Sequence, residues 1–136
     1  MNTSKQPVAT GRVETVADPG GALCAVLVVA LEAVQAVAPV VIDVRGKTSF
    51  TDYMLVAGGN SARHLATLRD ATLECARARG VRPLGVEGDG GDAEWVLIDL
   101  VDCVVHLMRP ATRAFYDLER LWSVGSAAPV RNSPPD

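Results

Sequence analysis

The residues able to do chemistry fall into four groups. The first is Gly58-Gly59-Asn60-Ser61, directly ahead of a helical pattern. A glycine-rich turn at a helix start can seat a phosphate on backbone N–H groups. Transfer of a nucleotidyl group would also need carboxylates on a neighbouring strand to hold two metals. Asp70 falls mid-helix, and no acid–apolar–acid pair follows at a suitable spacing. The turn therefore reads as a cap, with Asn60 or Ser61 accepting a backbone hydrogen bond. The second group, Asp89-Gly90-Gly91-Asp92-Ala93-Glu94, has the acidity of a calcium loop. It lacks the alternating ligand spacing and the distant bidentate Glu, and reads as a hairpin loop. Third come Cys24, Cys75 and Cys103, odd in number, with no metal spacing. They read as reduced, buried thiols of a cytoplasmic protein.

The fourth group would do recognition rather than catalysis. Trp95, Leu97 and Asp99 share one face of a strand, because side chains alternate. Glu87 and Asp102 stand at strand ends beside them, and His106 lies on the next strand. A Trp among carboxylates can anchor a basic partner. It can equally pack under a helix. Glu87 and Asp102 can be solvated loop carboxylates, and a lone His in an apolar strand reads first as structural. His64, on a helix with Arg63 and Arg69, reads as surface. Cys103 and His106 are three apart on a strand and point to opposite faces, so no Cys–His nucleophile forms. No catalytic residue, metal or cofactor is expected.

Composition narrows the partner. The chain has 136 residues, 49% hydrophobic and 21% charged, a mix suited to one globular domain. Its net charge is −3. Direct nucleic-acid binding is driven by counterion release onto basic patches, so the balance favours a basic protein partner instead. Residues 1–10 carry one Lys and no apolar run comes after them, unlike a signal peptide. Residues 22–42 are largely apolar, but Glu32, Gln35 and Pro39 interrupt them. The run before Pro39 falls short of the roughly 20 apolar residues a membrane span needs.

The elements that must position these groups follow from periodicity and breakers. Residues 1–20 form an arm rich in Pro and Gly. A helix over 21–37 should end at Pro39, since the residue before proline avoids helical geometry. Strands are expected at 40–44 and, apolar on both faces and hence central, at 53–57. Arg45, Lys47 and Arg63 would then sit at one end of the sheet, solvated or against RNA. A helix over 62–79 buries Leu65, Leu68, Thr72, Cys75 and Ala76, with Gly80 as its left-handed cap. A strand over 81–87 contains Pro83, so it lies at an edge or starts late. Strands at 95–100 and 103–108 come next. Pro110 starts a last helix striped by Phe115, Leu118, Leu121 and Trp122. Residues 124–136 are expected to be a disordered tail. The fold class is α/β: a single compact domain over 21–123, with helices packed on a mixed sheet of roughly five strands.

Asp43-Val44-Arg45-Gly46-Lys47-Thr48-Ser49, then Thr51-Asp52-Tyr53, then Gly59-Asn60-Ser61-Ala62-Arg63 resembles the first half of the ribosomal silencing factor (RsfS, or Iojap) pattern. Val86-Glu87-Gly88, then Trp95-Val96-Leu97-Ile98-Asp99, then Asp102 with Val104-Val105-His106 resembles the second half. Arg113, Phe115-Tyr116, Leu118-Glu119 and Leu121-Trp122 resemble its closing helix. The resemblance spans about residues 22–123. It implies a fold related to nucleotidyltransferases and a non-enzymatic role. It also implies binding to the large ribosomal subunit through ribosomal protein L-fourteen, obstruction of subunit joining, and repression of translation in starvation or stationary phase. Relatives in organelles imply large-subunit assembly as an alternative role, and a vestigial nucleotide binder is another. A homodimer in the free state is a further expectation. The chain departs from the pattern where Leu100 and Val101 replace an aromatic and a Gly. Val101 would be strained at a positive φ, and Leu100, if exposed on the partner face, would reshape the contact. His64 replaces a commoner Gln, and Ala111 a frequent acid.

Overall fold

The computed structural model describes residues 18–88, 90–118 and 120. The expected tail, most of the expected arm, and Leu121 and Trp122 of the expected stripe lie outside them. Helix α1 (Pro19–Ala33) starts two residues earlier than expected, because the Asp18 side chain caps it by accepting the Gly20 N–H at 3.1 Å. Pro19 fits the first helical position, where no N–H is missed. The helix also ends earlier. Gln35 adopts φ 70°, and the N–H groups of Gln35 and Ala36 donate to Glu32 O and Leu31 O, both at 3.0 Å. That is a left-handed C-terminal cap built on Gln rather than Gly.

Pro39 therefore does not end the helix. It lies inside strand β1 (Val37–Asp43), at the sheet edge, where its missing N–H is tolerated. Ala38 has φ 44°, and the pairing of β1 with the next strand slips between Val37 and Val40. This is a β-bulge.

Strand β2 (Tyr53–Gly58), helix α2 (Ala62–Ala78), β3 (Gly85–Glu87), β4 (Trp95–Asp99), β5 (Cys103–Met108) and helix α3 (Pro110–Tyr116) complete the order. Ser61 caps α2 by accepting the His64 N–H at 3.0 Å, and Gly80 turns the chain at φ 76°. Gly59 fits because Leu65 packs against it: a Cβ there would stand 2.6 Å from Leu65 Cδ2. Leu65, Leu68, Thr72 and Ala76 are buried as the periodicity predicts, while Cys75 is only half-buried. β3 is shorter than expected, with Pro83 before its start, and is an edge strand of the sheet among the described residues.

The sheet order is β1-β2-β5-β4-β3. β2 and β5 pair in parallel and every other pair is antiparallel. All residues of β2 and β5 are buried. On one face Leu55, Ala57, Val105 and Leu107 pack with Leu23, Leu27 and Leu31 of α1 and Leu65 and Leu68 of α2. On the other, Ile42, Met54, Val56 and Met108 form a second cluster, joined by Trp95 and Leu118. The Cys24 and Cys103 sulfurs, distant in sequence, meet at 3.4 Å in the first core. Contact with Cys24 and burial push the Cys103 thiol well up, so it stays protonated.

The Asp43–Tyr53 motif residues organise one end of the sheet. The Asp18 carboxylate accepts from the Tyr53 hydroxyl and from Arg45 at 3.1 Å. The tyrosine bond holds Asp18 below the usual carboxylate range. Burial, then the Asp18 contact, push the Tyr53 phenol up. Arg45 also pairs with Asp43 at 2.6 Å and lies 5.2 Å over the Tyr53 ring. The three expected basic neighbours are not together. Arg45 and Lys47 precede the Tyr53 end of β2 and Arg63 follows its Gly58 end, roughly 17 Å apart along a six-residue strand.

The β4–β5 hairpin is closed by a two-residue bond, Asp102 N–H to Leu100 O at 2.9 Å, with Val101 at φ 76°. Asp99 Oδ1 supports it by accepting the Val101 N–H at 2.9 Å. Val101 does stand at the strained positive φ, whereas the condition for Leu100 to reshape a contact, exposure, is not met. Leu100 is 1% exposed and belongs to the helix-side core, so it does not shape a partner contact.

Two stability outcomes are expected. Val101→Gly relieves a β-branched residue at positive φ and should raise stability by about 1 kcal/mol in urea melts. Tyr53→Phe removes a bond to a carboxylate and should cost about 1.5 kcal/mol in the same measurement.

Candidate partner-binding site

Strand β4 alternates in burial. Val96 and Ile98 face the helices, while Trp95, Leu97 and Asp99 are half-buried on the opposite face. Register extends this face sideways. Leu97 lies opposite His106 on β5 and Glu87 on β3, and His106 lies beside Val56 on β2. Glu87, Trp95, Leu97, Asp99 and His106 therefore share one face, of which strand alternation in the sequence gives Trp95, Leu97 and Asp99. Asp102 does not join them. It sits at the hairpin end, where its carbonyl accepts the Tyr53 N–H at 3.2 Å and its Cβ lies by Gly20 under α1. Asp99 is on the face, but it spends an oxygen on the Val101 turn.

His106 is 6% exposed, and its Nδ1 accepts the Trp95 indole N–H at 3.0 Å. That bond requires a bare Nδ1, so the neutral ring carries its proton on Nε2. Burial pushes the imidazole down to about 4. His106 thus holds Trp95 in place from below.

Aromatic rings continue outward from this pair. Tyr116 lies 4.8 Å from Trp95 and Phe115 packs edge-on against Tyr116 at 4.9 Å. Phe115 is 55% and Tyr116 45% exposed. The series runs from a buried imidazole to two exposed rings. Glu87 and Glu94 are exposed along its border. Three of the chain's six aromatic side chains meet here, and strand alternation misses Tyr116 and Glu94 because they lie on another helix and in a loop. The signal is present in the sequence as an adjacent Phe-Tyr pair in a chain poor in aromatics.

α3, which presents the two outer rings, has no buried residue of its own. Thr112 donates to Glu94 Oε1 at 3.3 Å, and Arg113 donates to Val37 O and Ala38 O at 2.8 and 2.6 Å. Past Tyr116 the chain turns at Asp117, φ 48°, and Leu118 returns to the second core.

The remaining candidates have structural places. His64 is not simply surface: its Nδ1 accepts the Asn60 N–H at 3.0 Å and its Nε2 meets Val34 O at 2.9 Å, tying α2 to the end of α1. Asp70 is exposed and paired with Arg69 at 2.9 Å. Among the described residues no cluster of His, Cys, Asp or Glu is placed to hold a metal, and no helix is long and apolar enough to cross a membrane.

A family model described as "Ribosomal silencing factor during starvation" matches residues 19–135. The chain belongs to the ribosomal silencing factor (RsfS) family. It is 38% identical over 101 residues to the ribosomal silencing factor RsfS of Zymomonas mobilis, covering 73% of this chain and 75% of that one. It is also 34% identical over 89 residues to a Mus musculus protein named "Mitochondrial assembly of ribosomal large subunit protein 1", covering 63% of this chain and 39% of the mouse protein. A crystal structure of a Chromobacterium violaceum protein superposes with TM-score 0.71 at 32% identity, over 84% of this chain and 93% of that one. The RsfS resemblance carried by the motifs, and the α/β class with its five-stranded mixed sheet, are what the comparisons and the structure give. RsfS proteins are regulators of the ribosome by name.

The His106 geometry has a pH consequence. In the unfolded chain its imidazole titrates near 6.5, in the folded protein at about 4. Between these values the unfolded state binds more protons. Stability is therefore complete above pH 6.5 and falls as the pH drops towards 4, by up to about 3 kcal/mol. Urea melts of wild type and His106→Leu across this window should show that much less acid loss in the variant.

Proposed function

We propose that this RsfS-family chain docks on the large ribosomal subunit through its Trp95–Tyr116–Phe115 face and contacts ribosomal protein L-fourteen there. By occupying that ground it blocks joining of the small subunit and represses translation in starvation or stationary phase, in the cytoplasm. The observation that carries this reading is the aromatic series bordered by Glu87 and Glu94, on a domain whose family is named for silencing ribosomes. Aromatic anchors dominate interface energetics, and the carboxylates suit the basic surface of a ribosomal protein. Leu97 extends the apolar part of the contact, while His106 supports it from below. The mechanism is steric, with no covalent step and no cofactor. Self-association through the same face would compete with docking.

A second reading is favoured by the name of the mouse relative: action on large subunits during their assembly. It uses the same surface and differs in which particles carry the protein.

Co-sedimentation with purified large and small subunits tests the proposal. Wild type should pellet with large subunits alone and prevent their joining to small ones. Trp95→Ala and Tyr116→Ala should each weaken binding about 30-fold, the equivalent of about 2 kcal/mol, while remaining folded. Unimpaired binding by both folded variants removes this face as the site. Binding confined to immature large subunits selects the assembly reading.

A further inference from the structure

Helix α3 carries the exposed half of the aromatic series, yet buries none of its own residues. Something other than a core contact must set its position. Two features of the β1–β2 pair meet at Arg113. The bulge in β1, with Ala38 at φ 44°, presents the Val37 and Ala38 carbonyls to one guanidinium. Pro39 comes next and has no N–H to pair across the ladder. Gly58, opposite Val37, leaves room: a Cβ there would stand 3.4 Å from Arg113 Nη1 and 3.2 Å from Val37 Cβ. A planar guanidinium can serve two carbonyls at once with little loss of freedom per bond, whereas an ammonium acts as a point charge on a flexible stem.

We infer that Arg113 is a positioning residue for the partner-binding face: its fork on the β1 bulge sets α3 so that the Tyr116 ring rests on Trp95. The fork and the ring contact stand independently of any partner. Their value for docking rests on the ribosome-binding reading given above. Arg113 acts through Tyr116 and need not touch the partner. Arg113→Lys keeps the charge but loses the fork, so it should behave more like Arg113→Ala than like wild type.

The test has one arm for each claim. With Trp122→Phe, Trp95 is the sole indole of the chain. Acrylamide quenching of its fluorescence should rise in Arg113→Ala, to the level seen in Tyr116→Ala, and should rise no further when both are combined. Far-ultraviolet circular dichroism shows in each case that the fold is retained. Unchanged quenching in folded Arg113→Ala overturns the inference, whether or not the protein binds ribosomes. So does a further rise in the double variant, since residues acting through one contact are not additive. The second arm is co-sedimentation. Arg113→Ala should lose about 10-fold in large-subunit affinity when Tyr116 is present and less than about 2-fold when it is Ala, as expected of coupled positions. Equal losses in both backgrounds mean that Arg113 meets the partner directly, and overturn the positioning role. A wild type that binds no large subunit, with the quenching pattern as expected, removes the docking reading and leaves Arg113 as the residue that sets Tyr116 on Trp95.

Discussion

Strands β2 and β5 run parallel at the centre of the sheet and bury every residue they contain. A sheet with two such strands must be covered on both faces, or its apolar side chains meet water at about 25 cal/mol per Å². α1 and α2 cover one face completely. On the other face, among the described residues, Val40, Trp95 and Leu118 pack against the second cluster, and Tyr116 of α3 lies on Trp95. The cover over the Trp95 end of this face is aromatic and only half-buried. The same requirement that closes the core thus leaves large rings at the surface, where a partner can complete their burial.

That arrangement separates two jobs within one strand face. His106 and Met108 belong to the core, and they fix Trp95 by a hydrogen bond and by packing. Tyr116 and Phe115 are exposed and held by polar contacts at the edges of α3. Trp95 stands between the two sets. Its indole N–H is satisfied inward by an acceptor that burial keeps uncharged, so its ring is presented outward already ordered. Little side-chain entropy remains to be lost when a partner covers it.

Much of this is legible in the sequence where local chemistry agrees with the final structure. The Gly80 cap, a cap at Asn60 or Ser61, the central place of β2 and the Trp95–Leu97–Asp99 face follow from local patterns. The end of α1 does not, although it uses the same capping geometry as α2. Gly80 announces a left-handed residue, and Gln35 does not. With that cap hidden, Pro39 is the next visible breaker, and the helical pattern extends to it. Asp102 falls into the expected patch because sequence proximity to β5 says nothing about which end of a hairpin faces which neighbour. Tyr116 and Arg113 are absent from the expected patch for a related reason: their partners, Trp95 and the bulge carbonyls, lie 21 residues or more away in the chain. The strain at Val101 is legible, because only the turn geometry, not its neighbours, makes it costly.

The bulge in β1 also bears on how the protein meets its surroundings. A free sheet edge is a template on which another chain can add a strand, and folded proteins that linger at high concentration are exposed to that hazard. Over Val37, Ala38 and Pro39 this edge has two carbonyls already taken by Arg113, one residue with no N–H, and a left-handed kink. An incoming strand finds no continuous ladder there. The contacts that Arg113 makes with this edge thus leave little of it open to an added strand.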